Sequence, residues 1–142
     1  SIKSRLETIL ASLQTPYNGS DSYGLVAVDM DGVLAQYSGW KGCSHIGDPY
    51  PHSEKLLKML NNYGKVIIYT SRGNREVHDW LVKWKLDKYI DSININKDPM
   101  LVGNNPGKPT ANFYIDDRAI RFTGDLTKLL QDLQTFKEWW RV

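Results

Sequence analysis

The chain has 142 residues, a single cysteine, and 18 basic against 16 acidic residues, for a formal net charge of +2. A chain of this length buries about 68–70% of the surface of its unfolded form, so we expect one domain that needs no disulfide. One cysteine excludes a disulfide within the chain, and so small a charge gives no argument for nucleic-acid binding. With no secretory h-region and no long apolar run, we predict a cytoplasmic protein that does not contact membranes.

The apolar spacing predicts helices and strands in alternation. Ile2 to Leu13 has the spacing of an amphipathic helix, and Gly24 begins an apolar strand that ends in acidic residues. Three more helices are expected: one capped by Ser53 and stopped by Gly64, one over the range 77–84, and one capped by Asp125. Further strands are expected at 65–69, 90–95, 112–115 and 119–122, and loops at 36–52 and 96–109. This order predicts an α/β fold with a mostly parallel sheet covered on both faces.

Polar residues follow several of these strands or lie in the loop before one. They are Asp29 with Asp31, Thr70, Lys108, and Asp116 with Asp117. Because the carboxyl ends of parallel strands lie along one edge of a sheet, residues far apart in sequence are predicted to share one crevice.

Several carboxylates in one crevice repel one another, so a bound cation or proton is needed to offset their charge. Oxygen ligands favour a hard ion such as Mg²⁺. With such a metal the fitting chemistry is phosphoryl transfer, in which a carboxylate acts as nucleophile. Lys108 would balance charge on the transferring oxygens, and the hydroxyl of Thr70 would orient them. A carboxylate two residues after the nucleophile would protonate the leaving group.

Four segments resemble the ordered motifs of the haloacid dehalogenase-like (HAD) phosphohydrolases. They are Asp29-Met30-Asp31-Gly32-Val33-Leu34, Ile67-Ile68-Tyr69-Thr70-Ser71-Arg72, Gly107-Lys108-Pro109 and Tyr114-Ile115-Asp116-Asp117-Arg118. The resemblance implies a Rossmann-like, three-layer α/β/α fold with a core over 24–122, a helical extension over 1–23 and a terminal helix over 123–142. The segments that hold cap domains in larger members are short here, so no separate cap domain is expected and the site would be open. The segment Gly47-Asp48-Pro49-Tyr50-Pro51 and the segment 115–122 resemble those of the small, bacterial and phage-associated members.

The resemblance also implies roles for individual residues. Asp29 would be the nucleophile and Asp31 the general acid and base, while Thr70 and Lys108 would hold the phosphoryl group. Mg²⁺ would be bound by Asp29, by the backbone carbonyl of Asp31 and by Asp116. Asp117 would support the metal directly or through a water.

Substrate contacts are expected from residues beside these motifs. Those proposed are Gly32, Ser71, Arg72 and Arg118, and Asn74 and Arg75 lie nearby. Tyr37, Trp40, Lys41 and His45 would form a lip over the substrate. The substrate would be a phosphorylated small molecule, a nucleotide or a nucleic-acid end. The chain would be a monomer or a homodimer, with Trp139 and Trp140 packing on the N-terminal helix or forming a subunit contact.

Simpler interpretations stand beside these. Acidic residues are common in turns, Thr70 and Ser71 can cap a helix, Lys97 can replace Lys108, and surface arginines are usually solvated. The histidines lack metal-ligand spacing and are predicted to be surface residues, and Cys43 a passive thiol. A different class of function is a phosphoacceptor signalling module. In such modules the acidic pair comes first in the sequence, whereas in this chain an aspartate pair comes last. A non-catalytic binding protein would be expected to lack Asp29 or Asp31.

Overall fold

The computed structural model describes residue 5 and residues 24–103 and 107–141. The helix predicted over residues 2–13 lies outside these residues, except for the exposed, helical Arg5. None of the helices in the described part is long and apolar enough to cross a membrane.

Four parallel strands form one sheet in the order β3-β2-β1-β4. The strands are β1 (Leu25–Val28), β2 (Lys65–Ile68), β3 (Ser92–Ile93) and β4 (Phe113–Ile115). The helices are α1 (Ser53–Tyr63) between β1 and β2, α2 (Asn74–Lys83) between β2 and β3, and α3 (Leu126–Thr135) after β4. The predicted α/β class with a parallel sheet is confirmed and is consistent with a Rossmann-like three-layer arrangement. The described residues contain no separate cap domain.

The main core lies between the sheet and helices α1 and α2. Alternate residues of the central strands pack there, so that Val26 and Val28 of β1 share one cluster with Val66 and Ile68 of β2. The helices contribute Leu57, Leu60, Tyr63, Val77, Trp80 and Leu81. All four residues of β1 are buried, as the apolar run predicts for a strand covered on both faces.

The start of α1 differs from the prediction in one residue. The N-cap is His52, and Ser53 is the first residue inside the helix. The buried Ser53 hydroxyl donates instead to the carbonyl oxygen of Leu34, 2.6 Å away. Ser53 therefore fastens α1 to the chain that follows β1. The helix ends at Gly64 as predicted, where the backbone becomes extended. A side chain at Gly64 would collide with the carbonyl oxygen of Gly24, so this close approach needs glycine.

Two of the predicted strands are corrected by the structure. The third is limited to Ser92–Ile93, because Asn94 takes a left-handed backbone conformation, with φ of 60°, that ends the strand. The fifth, expected over 119–122, is not formed, since this segment pairs with no strand of the described chain and exposes Phe122. Asp125 caps the last helix as predicted, because its carboxylate accepts from the backbone N–H of Lys128.

Candidate metal and active site

The carboxyl ends of the three strands β2, β1 and β4 lie side by side. Just beyond β1, the backbone N–H of Asp29 donates to the carbonyl oxygen of Ile115 at 2.9 Å. On the other side of β1, the N–H of Tyr69 donates to the carbonyl oxygen of Val28, also at 2.9 Å. The residues that follow these three strands therefore meet at one edge of the sheet, as the topology predicts.

Three carboxylates converge at this edge. Oxygen atoms of Asp29, Asp116 and Asp117 all lie within 4.8 Å of one another. Asp29 and Asp117 are half-buried, whereas Asp116 is exposed. A set of three carboxylates offers only hard oxygen ligands, and the set fits a small divalent cation such as Mg²⁺. The structure thus brings together three of the four predicted metal residues. The fourth, Asp31, was assigned through its backbone carbonyl, and its side chain points elsewhere.

The environment of Asp29 favours its protonated form when no cation is bound. Burial is the largest cause, followed by a hydrogen bond shared with Asp117 and by the negative charge of Asp116, and together they raise the pKa of Asp29 to about 8. The backbone N–H of Met30 acts in the opposite direction by donating to the carboxylate. A cation placed among these oxygens would offset the repulsion and return Asp29 to its ionised form.

This raised pKa predicts how the stability of the metal-free protein depends on pH. Between the ordinary value of 3.8 and about 8, the folded state holds a proton on Asp29 that the unfolded chain has lost. Folding stability from this group therefore falls as pH rises through that window. Urea unfolding in a chelator should show Asp29→Asn gaining stability relative to wild type from pH 5 to pH 8. A difference that stays constant with pH would contradict the assignment.

Asp31 forms a close ion pair with Arg72. The Nε of Arg72 donates to Oδ2 of Asp31 at 2.8 Å, and Nη2 donates to Oδ1 at 3.0 Å. Arg72 is buried and Asp31 is half-buried, so this two-point contact is largely shielded from solvent. Each oxygen of Asp31 accepts one hydrogen bond from Arg72 and keeps a second lone pair on which a proton could be carried.

Arg72 also holds the loop that follows β1. Its guanidinium donates to the carbonyl oxygens of Gly42, Cys43 and His45, and its Cζ lies 4.7 Å from the centre of the Trp40 ring. The interpretation of Arg72 as a solvated surface arginine is therefore wrong. The donors of Arg72 are directed at Asp31 and at the loop after β1, so Arg72 stabilises the residues around the site. Its predicted contact with substrate stays a prediction.

Thr70 is fixed by a residue that the sequence analysis did not single out. The backbone N–H of Thr70 donates to Oδ1 of Asn94 at 2.8 Å, and the Thr70 hydroxyl accepts from the N–H of Arg72. Asn94 also donates to the side chain of Asn74 at the start of α2. Asn94 has a left-handed backbone conformation, which asparagine tolerates better than most residues, but the sequence shows only the residue type. Ser71, next to Thr70, is exposed.

The structure places Lys108 beside β4 but not on the carboxylates. Its Nζ lies 4.8 Å from the centre of the Tyr114 ring, and the Tyr114 hydroxyl donates to the carbonyl oxygen of Pro109. Within the described ranges no ion pair joins Lys108 to an acidic residue. Its role on the phosphoryl group stays a prediction. The alternative, Lys97, lines a cavity at the outer side of β3 with Asn74 and Arg75.

The C-terminal tryptophans contact the site. Trp140 Nε1 donates to Oδ2 of Asp117 at 2.6 Å, and Trp139 Nε1 donates to the carbonyl oxygen of Gly32 at 2.7 Å. Trp139 also packs against Tyr50, with ring centres 5.0 Å apart. The expectation that these residues pack on the N-terminal helix or between subunits did not anticipate these contacts. The two adjacent tryptophans were visible in the sequence, but the sequence alone did not identify the residues that they contact.

Arg118 and Gly32 lie where the acidic edge meets the C-terminal segment. The backbone N–H of Arg118 donates to Oδ1 of Asp116 at 2.7 Å, while its guanidinium lies 4.0 Å from Glu138 and 5.7 Å from the centre of the Trp140 ring. Gly32 is buried and has a φ of 81°. Both residues therefore help to form the site, and their contact with substrate is untested.

Gly32→Ala is expected to disturb both backbone and site. A methyl group at Gly32 would collide with Oδ2 of Asp117 and with Nε1 of Trp140, and φ there is 81°. Gly124→Ala is a matched control, because Gly124 has a φ of 88° and open space around it. Both variants should lose about 1 kcal/mol to backbone strain. Only Gly32→Ala should lose more stability and weaken Mg²⁺ binding in calorimetry. Equal effects of the two variants would refute a packing role for Gly32.

The histidines are surface residues, as predicted, whereas the passive character of the Cys43 thiol stays a prediction. His45, His52 and His78 are exposed, and Cys43 is exposed and free. Within the described part of the chain, the three aspartates form the sole group of potential metal ligands.

The chain is similar in fold to solved structures. One of them is described as the structure of the conserved protein coded by locus from Bacteroides thetaiotaomicron, and it matches with a TM-score of 0.52 at 20% sequence identity. The match covers 81% of this chain and 93% of that chain. No family model and no curated protein matches the sequence. The similarity supports the α/β fold and gives no information about activity.

Proposed function

We propose that this protein is a Mg²⁺-dependent phosphatase of the HAD-like type that hydrolyses a phosphate monoester through an aspartyl-phosphate on Asp29. The observation that carries the proposal is the convergence of Asp29, Asp116 and Asp117, whose oxygens lie within 4.8 Å of one another. Asp29 and the pair Asp116-Asp117 come from two neighbouring strands that are distant in sequence. Their meeting gives one carboxylate, that of Asp29, that could both attack phosphorus and bind the metal, and two more that could bind the metal.

Asp29, Asp116 and Asp117 would hold the Mg²⁺. When bound, the ion would supply positive charge that offsets the carboxylates and the transferring phosphoryl oxygens. Burial is the largest cause that raises the pKa of Asp29 to about 8 without the ion, and the negative charge of Asp116 adds to it. A cation would offset both effects, which supports this assignment.

The nucleophilic step belongs to Asp29. One ionised carboxylate oxygen would attack phosphorus, the bond from phosphorus to the ester oxygen would break, and the alcohol would leave. Water would then cleave the aspartyl-phosphate and release inorganic phosphate. The position of Asp29 at the end of a fully buried strand limits its movement, which favours a fixed direction of attack.

Asp31 is the proposed general acid and base, and Arg72 positions it. The ion pair orients both carboxylate oxygens of Asp31. Proton transfer would use a lone pair of Asp31 that is not occupied by Arg72. Thr70 would orient the phosphoryl group from the end of β2, where Asn94 fixes its backbone.

The proposal is tested with a panel of phosphate esters. Purified protein should release inorganic phosphate in Mg²⁺ and should stop when a chelator is added. A stable phosphoprotein with no turnover would instead favour a phosphoacceptor module. If the protein binds no Mg²⁺ in calorimetry and hydrolyses no member of the panel, the proposed activity is wrong.

A further inference from the structure

A cavity of about 590 Å³ lies next to the acidic edge. One wall comes from the loop after β1 and the other from Trp139 and Trp140, and the cavity is open to solvent. Its aromatic lining residues are Tyr37, Tyr50, Trp139 and Trp140. This volume is within the range of small-molecule sites, which combine apolar walls with a few polar groups.

The aromatic side chains support one another. Tyr37 meets Trp140 edge to face, with ring centres 5.0 Å apart and planes at 79°. Tyr50 contacts Trp139 at 5.0 Å and stacks on His52 at 5.1 Å. The Tyr50 hydroxyl also accepts a hydrogen bond from the backbone N–H of Tyr37. Because these contacts restrain the rings, the walls are ordered before a ligand enters.

One side chain, that of Trp140, connects the lining of the cavity to the acidic edge. Trp140, which lines it, donates to Asp117, and an oxygen of Asp117 lies within 4.8 Å of Asp29. A smaller adjoining cavity has Asp31 and Arg72 on its lining and shares Tyr37 and Lys41 with the larger one. A ligand that fills both cavities would therefore reach Asp31, which is two residues from Asp29 in the chain.

We infer that this cavity is a subsite for the nucleobase of a nucleoside phosphate whose phosphate reaches Asp29; the inference rests on the proposed phosphatase function. A nucleobase is a flat ring, and flat rings are bound well by aromatic walls. It also has hydrogen-bonding edges, and the cavity offers Gln36, Ser38 and Asp48 as polar partners. Lys41 adds a positive charge at the same lining, which suits an anionic ligand.

The matched substrates are a nucleoside 5′-monophosphate and ribose 5-phosphate, which differ by the base. In Mg²⁺ the nucleotide should have a kcat/KM at least about tenfold higher, because stacking on aromatic side chains favours the base by a factor of this size. In Tyr37→Leu, which removes one aromatic wall, this ratio should fall by about tenfold. Tyr89→Leu, on the far side of α1, should keep the wild-type ratio.

A 5′-phosphorylated oligonucleotide distinguishes the two sources of a nucleotide. Faster hydrolysis of the oligonucleotide than of the mononucleotide would identify a nucleic-acid end, and the reverse would identify a free nucleotide; both support the subsite.

Failure of the subsite and failure of the phosphatase activity give different results. Equal kcat/KM for nucleotide and ribose 5-phosphate would overturn the subsite and leave the phosphatase in place. If neither is hydrolysed, the panel of phosphate esters decides the phosphatase activity, and calorimetry with the nucleotide decides the subsite. Binding that Tyr37→Leu weakens would support it, and absence of binding would overturn it.

Discussion

Asp29→Asn is expected to lower phosphatase activity by at least about a thousandfold, because the amide cannot attack phosphorus. The substitution preserves the size of the side chain and removes a charge that the half-buried site holds poorly. The variant should therefore fold as well as wild type and be more stable at pH 8 in the absence of metal, where wild-type Asp29 is near its pKa of about 8. Initial rates in saturating Mg²⁺, with an unfolding curve for each variant, measure both effects.

Asp79→Asn is the matched control for this change. Asp79 lies exposed on α2, away from the acidic edge, and is subject to the same chemical substitution. Its activity should equal that of wild type. A rate for Asp29→Asn within about tenfold of wild type, after contaminating phosphatase is excluded, would mean that Asp29 is not the nucleophile.

Arg72→Met is expected to be the most destabilising of the substitutions considered, at about 3–5 kcal/mol. It leaves the carboxylate of Asp31 without its cation and removes the donor for the carbonyl oxygens of Gly42, Cys43 and His45. The Arg72 side chain is only 2% exposed, so water cannot readily replace these contacts. Urea unfolding at pH 7 measures the loss.

Arg75→Met is the control for the arginine substitution. Arg75 is exposed on α2, where its loss should change stability by no more than about 0.5 kcal/mol. If both variants lose equally little, the loop after β1 does not depend on Arg72. A double variant with Asp31→Asn should lose less than the sum of the two single changes, because both remove the same ion pair.

The fold was predictable because strong local signals agree with the topology. The buried run before Asp29 and the helical spacing around Trp80 each correspond to one element. The strand ends then followed from the rule for parallel sheets, which correctly brought Asp29 and Asp116 together. Two strand predictions were wrong. The third strand is shorter than predicted because the backbone leaves the extended conformation at Asn94, and the strand over 119–122 does not form because no described strand pairs with it.

The parts of the site that the sequence did not predict depend on contacts between distant side chains. Nothing in the local pattern distinguishes Arg72, a buried ion-pair partner, from the exposed Arg75 three residues later. Likewise, Trp140 reaches Asp117 only because the chain after α3 returns to the acidic edge. Motif order indicated the residues to which chemical roles are proposed, whereas the side chains that position them required the three-dimensional structure.

The most direct test of the central claim is to locate the phosphoryl group during turnover. Protein turning over a good phosphate ester in Mg²⁺ is quenched in acid, digested and analysed by mass spectrometry. The account predicts one phosphoryl group on the peptide that contains Asp29, and none in Asp29→Asn. A phosphoryl group on another residue, or rapid turnover at saturating substrate without any phosphorylated peptide, would contradict it.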